Sequence, residues 1–230
     1  MKTLDMQVAR RWQAAEGIEA FELLPAHDSA ALPAFDAGAH ITVHLPNGQR
    51  RNYSLCGDPS RRDRYRIAVL KEASGRGGSR CMHESVHAGD ILKISAPRND
   101  FPLTGASGHT VLLAGGVGVT PLLAMAYTLQ ARNASFELHY FARSRAKAAF
   151  LDELSAPALS DKVRLHFDDE SADAHARPLQ TILAALALEV HVYACGPAGF
   201  LAFLGQAWRR QGRPADHFHF EAFGAEVPEI

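Results

Sequence analysis

One segment restricts this 230-residue chain more than any other: Val111-Leu112-Leu113-Ala114-Gly115-Gly116-Val117-Gly118-Val119-Thr120-Pro121-Leu122-Leu123. The apolar run over 111–114 reads as a strand buried on both faces, as in a parallel sheet. The glycines after it allow a tight turn and let the backbone approach a ligand with no Cβ in the way. Thr120 suits an N-cap and Pro121 the first helical position, so a helix is expected to begin there and run through Leu122, Leu123 and Ala126. Strand, turn and helix N-terminus present free N–H groups and a favourable dipole to an anion, and a dinucleotide pyrophosphate is the usual guest. The six-position dinucleotide fingerprint is incomplete, because Gly116 and Gly118 fit it but Pro121 stands in place of the third glycine. An ordinary strand-to-helix turn would carry the same residues.

Around this segment strands and helices alternate. Strands are expected at 111–114, 136–141, 163–167, 190–195 and 217–223, with helical stretches from Pro121, near 147–154, over 178–186 and from Ala198 to about Gly212. Such alternation implies a parallel sheet wrapped by right-handed crossovers. The first hundred residues follow another grammar, with short β-like runs at 6–12, 18–24, 40–45, 50–55, 65–71 and 91–96. Asn47-Gly48 between the third and fourth of these is a strong hairpin signal. The Pro-, Gly- and Ser-rich stretch 97–108 reads as a linker. The expected fold is therefore two domains: an N-terminal six-stranded antiparallel β-barrel over 1–103, and a C-terminal α/β parallel-sheet nucleotide-binding domain over 109–224.

Composition narrows the function classes. Hydrophobic residues make up 47% of the chain, enough for real cores, and a net charge of -1 without a basic run gives nucleic-acid binding no electrostatic support. No stretch has signal-peptide or membrane-spanning character, so a cytoplasmic location without membrane contact is expected. Cys56, Cys81 and Cys195 lack metal-ligand spacing, and their odd number does not suggest a disulfide framework. No metal site is expected.

The barrel carries ligand chemistry of its own. Arg51 and Tyr53 share one face of a strand, with Ser54 on the other face or at its end. A guanidinium beside an aromatic ring can bind a phosphate and stack on a flat heterocycle, although an exposed strand face with a surface arginine would look the same. Gly75-Arg76-Gly77-Gly78-Ser79-Arg80 leads into a short helix near 81–86 and reads as a second phosphate cradle or as a plain surface loop.

Five motifs then occur in a telling order: Arg51-x-Tyr53-Ser54, the Gly75–Ser79 loop, the Gly115–Pro121 turn, Tyr193-Ala194-Cys195-Gly196-Pro197 and Phe220-Glu221-Ala222-Phe223-Gly224. Together they resemble the ferredoxin–NADP reductase superfamily, in its phthalate dioxygenase reductase and vanillate O-demethylase reductase branch. The resemblance covers essentially the whole chain. It implies a flavin in the barrel and a nicotinamide brought to it by the second domain. Arg51 would engage the flavin phosphate, Tyr53 would stack on the isoalloxazine, and Ser54 would bond near N5. Ala68, Val69 and Lys71 would supply backbone contacts, and Gly77, Gly78 and Ser79 would hold the phosphate. The form of that loop resembles the FMN branch, so FMN is the expected flavin.

The resemblance also assigns Gly116, Gly118, Thr120 and Pro121 to the nicotinamide dinucleotide, with Cys195, Gly196 and Pro197 beside its ring. Phe223 would cover the flavin, and Ser54, Cys195 and Glu221 would be the catalytic set. Cys195 equally reads as a small buried residue ending a strand, and Glu221 and Phe223 as the finish of a sheet strand. Arg143 and Ser144 follow the second strand of the α/β domain where NAD sites carry a carboxylate; NADH is expected, with NADPH the alternative.

Relatives of this type continue into a plant-type [2Fe–2S] domain, whereas the cysteines here lie 25 and 114 positions apart and cannot ligate that cluster. The cluster is expected on a ferredoxin domain or protein outside this sequence, with 225–230 opening a linker toward it. The implied activity is NADH-dependent FMN oxidoreductase, passing electrons through flavin to a [2Fe–2S] partner that serves a terminal oxygenase or demethylase. A free flavin reductase and a noncatalytic flavin- or nucleotide-binding sensor module are the rival readings.

Overall fold

The computed structural model describes residues 3–27, 31–104, 108–170 and 176–223, with the backbone alone at 176–178. The first half folds as β1 (Thr3–Ala15), β2 (Ile18–Pro25), β3 (Ala39–His44), β4 (Arg50–Ser54), β5 (Tyr65–Leu70), α1 (Gly78–Ser85), β6 (Ile91–Ser95) and β7 (Arg98–Asn99). Six of the strands pair antiparallel in the order β4-β3-β6-β1-β2-β5, and β7 joins at β3. Two register shifts along β1, at Val8/Arg10 and Gln13/Ala15, add local twist and help the sheet curl. Met6, Val8, Phe21, Ile41, Val43, Ile67 and Ile94 fill the curl, and α1 closes it with Met82. The hairpin turn at Asn47-Gly48 places Gly48 at φ 79, which glycine adopts without strain.

The expected linker at 97–108 is only partly one. Its first residues form β7 and stay with the barrel, because the Asn99 amide donates to the Ala37 carbonyl (3.0 Å) and accepts from the Phe101 N–H (3.1 Å). Phe101 is buried. A Cβ at Gly38 would lie 1.8 Å from the Phe101 carbonyl oxygen, so glycine is required for this closure.

The second half comprises β8 (Thr110–Gly115), α2 (Val119–Ala131), β9 (Phe136–Ala142), α3 (Leu151–Leu154), β10 (Val163–Phe167), α4 (Ala176–Ala185), β11 (His191–Gly196), α5 (Ala198–Arg210) and β12 (Phe218–Ala222). Its five strands are all parallel, in the order β10-β9-β8-β11-β12. The two-domain architecture, a curled antiparallel sheet followed by a parallel α/β sheet, is the one the sequence led us to expect. Two local expectations need correction. A 3-10 turn, Gly116–Gly118, runs directly into α2, so the helix begins at Val119 with Gly118 at its cap. Thr120 therefore lies inside the first turn, donating to the Val117 carbonyl at 3.0 Å rather than capping, and Pro121 is the third helical residue. The helix expected near 147–154 shrinks to a 3-10 turn, Arg145–Lys147, and α3. Buried Ala148, Ala149 and Phe150 interrupt it; the Ala149 N–H is held by the Tyr140 hydroxyl (2.9 Å), and Phe150 sits at φ 62.

The two halves share apolar surface. Ile18, Ala20, Cys56, Ala68 and Phe101 of the barrel lie in one continuous cluster with Val119, Leu122 and Leu123 of α2. A second layer, with Leu179, Leu201, Leu204 and Trp208, covers the opposite face of the parallel sheet. The C-terminal ends of β8 and β11 thus open toward the barrel, where a parallel sheet ordinarily presents its ligand site.

Candidate functional site

A cavity of about 520 Å³ lies at the junction of the halves, within the usual size of small-molecule sites. The barrel lines it with Arg51, Tyr53, Ser54, Ala68, Val69, Gly78 and Ser79; the α/β half contributes Val117, Thr120, Glu221 and Phe223. Alternation along β4 explains the first group. Arg51 and Tyr53 point one way, while Ser54 ends the strand buried.

At one end the cavity is an anion cradle. The first intrahelical bond of α1 runs from Cys81 N–H to the Gly77 carbonyl (3.0 Å), leaving the amides of Gly78, Ser79 and Arg80 ahead of it. Gly77 caps the helix at φ 89. A Cβ on Gly78 would fall 2.6 Å from Arg51 Nε, so glycine lets the guanidinium lie against the helix end. Arg51 is oriented by Gln49, which accepts its N–H at 2.6 Å and donates onward to the Arg76 carbonyl at 2.7 Å. Ser79 Oγ is occupied by the Glu72 N–H at 3.1 Å, which ties the loop to the end of β5.

In the middle, the buried Tyr53 hydroxyl has no hydrogen-bond partner among the described residues, and burial pushes its proton affinity up. A buried donor left orphaned in a cavity wall is costly and awaits a ligand. At the far end Ser54 Oγ donates to Glu221 Oε2 across the domain junction, 3.1 Å. Burial raises the Glu221 carboxyl to about 7, opposed by the Ser54 hydrogen bond and helped by a smaller push from Asp100. The cavity thus offers a guanidinium and free amides, an aromatic wall and a carboxyl poised to exchange a proton near neutrality. These features fit a flat heterocycle carrying a phosphate.

Not every residue singled out from the sequence meets here. Lys71 turns away: its N–H bonds the Gly17 carbonyl (2.9 Å) and its ammonium pairs with Glu84 (2.9 Å). Cys195 is fully enclosed beneath the glycine turn, and burial raises its thiol well above the usual range. Its carbonyl oxygen would lie 2.2 Å from a Cβ at Gly118, so Gly118 lets α2 begin directly over the end of β11. Gly116, Gly196 and Pro197 gather at the same strand ends, while exposed Arg143 and half-buried Ser144 follow β9. Gly77, though not in the wall, caps the helix that is.

Sequence reasoning missed Gln49, which sits just before β4 and two residues ahead of Arg51. It also missed His40, Glu72 and Asp100, which only the fold gathers. His83-Glu84-Ser85-Val86-His87 has the H-E-x-x-H letter pattern of zinc sites, which the expectation of no metal overlooked. The helix ends at Ser85, His83 Nε2 contacts the Val69 carbonyl (2.8 Å), and His87 lies beyond the helix near Asp90 (3.8 Å). Among the described residues no cluster of three potential ligands could hold a metal.

Comparison with known proteins decides the family. No protein-family model matches the chain. It is 45% identical over 222 residues to a vanillate O-demethylase oxidoreductase of Pseudomonas putida, covering 96% of this chain and 69% of that one. It is 38% identical over 223 residues to a phthalate dioxygenase reductase of Burkholderia cepacia, covering 96% and 68%. The chain belongs to the family of these oxygenase reductases. A solved phthalate dioxygenase reductase, described as a modular structure for electron transfer from pyridine nucleotides to [2Fe–2S], superimposes with a TM-score of 0.88 at 38% identity. That match covers 98% of this chain and 69% of the solved one. As a member of the phthalate dioxygenase reductase family, the chain is an NAD(P)H-dependent flavin oxidoreductase. Among its described residues no helix is long and apolar enough to cross a membrane.

Proposed function

We propose that this chain takes electrons from NADH through FMN and passes them to a [2Fe–2S] centre serving a terminal oxygenase or demethylase. One observation carries the reading: a single cavity is walled by the Arg51–Gly78 cradle of one half and by Thr120 and Glu221 of the other. Bound flavin supplies the chemistry that accepts hydride from a nicotinamide and releases electrons singly. Arg51 and the α1 amides would hold its phosphate, and Tyr53 would face it with ring and hydroxyl. Ala68 and Val69 would line its edge, leaving Ser54 beside the ring system. The form of the Gly75–Ser79 loop, which resembles the FMN branch, supports FMN over a flavin bearing an adenylate.

The glycine turn at 116–118, with Thr120, Pro121, Gly196 and Pro197 around it, would orient the nicotinamide nucleotide. Arg143 and Ser144, which follow β9, would meet its ribose. Cys195, enclosed behind the turn, would act by holding the turn's position rather than as a nucleophile. Ser54 and Glu221 can keep a proton at the cavity wall, because a carboxyl near 7 holds it about half the time at neutral pH. Phe223 would shield the cavity from water. The three cysteines are unpaired and buried, which suits a reducing cytoplasm.

Chromatography of the flavin released by heating tests the reading. FMN in one equivalent is expected; FAD, or a protein that only turns over free riboflavin, would defeat it. Reduction of cytochrome c by NADH should stay slow until a [2Fe–2S] ferredoxin is added.

A further inference from the structure

Away from the cavity, the junction between the halves holds a second feature. Arg66 of β5 forms a two-pronged ion pair with Glu153 of α3, at 2.6 Å and 2.9 Å. The Tyr127 hydroxyl of α2 donates to the same carboxylate, and Arg66 also donates to the Cys56 carbonyl at 2.7 Å. The guanidinium lies 4.8 Å over the Phe150 ring, and its side chain is only 15% exposed. The partners are 87 residues apart, so the cluster forms only once the halves have docked.

Its position is informative. Arg66 stands two residues before Ala68 on the strand that lines the cavity, and Tyr127 stands on the helix that leaves the glycine turn. The clamp therefore links the strand proposed to border the flavin to the helix proposed to carry the nicotinamide. The junction has other polar links, Ser54 to Glu221 (3.1 Å), the Glu16 N–H to the Ala146 carbonyl (2.8 Å) and the Lys147–Glu16 ion pair (3.7 Å), but each is a single contact. The remainder is apolar, with Ile18, Ala20 and Ala68 in one cluster with Val119 and Leu122. Apolar contact is non-directional and leaves such surfaces free to slide by fractions of an ångström. A bidentate guanidinium–carboxylate fork has one geometry. A sheltered ion pair contributes little net stability over apolar packing, so its distinctive contribution is orientation.

We propose that Arg66, Glu153 and Tyr127 are positioning residues that set the distance and angle between the two cofactor half-sites. The proposal rests on the electron-transfer reading above, since it assigns the clamp to hydride-transfer geometry. Displacements of about 1 Å can slow such a step a hundredfold.

The holoprotein is tested as Glu153→Gln and as the paired apolar variant Arg66→Leu/Glu153→Leu, which keeps packing without the fork. For both, the clamp predicts flavin still bound in full and NADH affinity within twofold of the parent. It also predicts a maximal rate of flavin reduction at least tenfold lower. Hydrogen exchange, read with and without flavin, should quicken over 66–70 and 116–122 but not in the centre of the parallel sheet. Unchanged reduction by Glu153→Gln would overturn the proposal. So would a paired variant that regains the parent rate together with parent stability, or exchange that quickens uniformly. A parent chain that binds flavin but takes no hydride would defeat the electron-transfer reading; the exchange contrast is independent of turnover, and its absence would defeat the clamp alone.

Discussion

The two glycine turns look alike in sequence, yet the structure uses their glycines for different reasons. In the barrel, Gly78 makes room for a side chain: the missing Cβ is where Arg51 Nε passes, at 2.6 Å. In the α/β half, Gly118 makes room for backbone, since its missing Cβ would meet the Cys195 carbonyl at 2.2 Å. A side chain can move aside at modest cost, whereas the end of a central strand cannot. The first turn is thus a charged cradle, in which Arg51 and the helix amides would select the proposed phosphate. The second is a packing joint that brings a helix end over the sheet and carries no charged side chain between Gly115 and Pro121.

The largest effect should come from breaking the packing joint. Gly118→Ala is expected to lose at least about 3 kcal/mol in chemical denaturation, because the strand end must separate from the helix. A loss under 1 kcal/mol would show that the joint is soft. Next comes Glu221, where the two sides meet through Ser54. Its carboxyl is about 4.5 unfolded and about 7 folded, so the folded state binds the extra proton between those values. Its contribution is therefore fully present below about pH 4.5 and is lost as pH rises through 7. Relative to Glu221→Gln, the parent should lose roughly 2 kcal/mol of stability between pH 5 and 8. Parallel pH profiles for the two proteins would contradict that assignment.

Arg51→Ala addresses the charged cradle. It should weaken flavin retention by about 2 kcal/mol, some thirtyfold, with little change in folding. Unchanged affinity by fluorescence titration would remove the arginine from the phosphate site. Gly78→Ala should give the smallest folding effect, about 1 kcal/mol, because Arg51 can swing away, while still lowering flavin affinity. Equal folding losses for Gly78→Ala and Gly118→Ala would erase the distinction between the turns.

Much of the fold was legible because its elements obey local rules. β10 begins and ends where alternation put it, and Asn47-Gly48 fixed the hairpin before Arg51. Misreadings arose where tertiary contacts outweighed local preference. Thr120 has cap chemistry, but the turn before it already winds as a helix, so the cap moved to Gly118. Residues 148–150 have helical composition, but Tyr140 holds the Ala149 N–H and breaks the run. Residues 98–101 have linker composition, but Asn99 binds them to the barrel.

The site divided in the same way. Strand alternation and a glycine loop marked Arg51, Tyr53, Ser54, Gly78 and Ser79 as candidates, and the order of the five motifs turned them into a site. Glu221 was marked only by family likeness, and its meeting with Ser54 spans 167 residues. The Arg66–Glu153 clamp had no local signal at all, since an arginine within a strand and a glutamate in a short helix look ordinary until the halves dock.

Anaerobic titration of the flavin-loaded protein with NADH tests the central claim, that the cradle and the glycine turn serve one cavity. One equivalent of NADH should bleach the bound flavin, and Arg51→Ala reloaded with excess FMN should bleach likewise. A protein that retains FMN through the cradle yet stays oxidised under excess NADH or NADPH would contradict the account, because the two half-sites would then not meet.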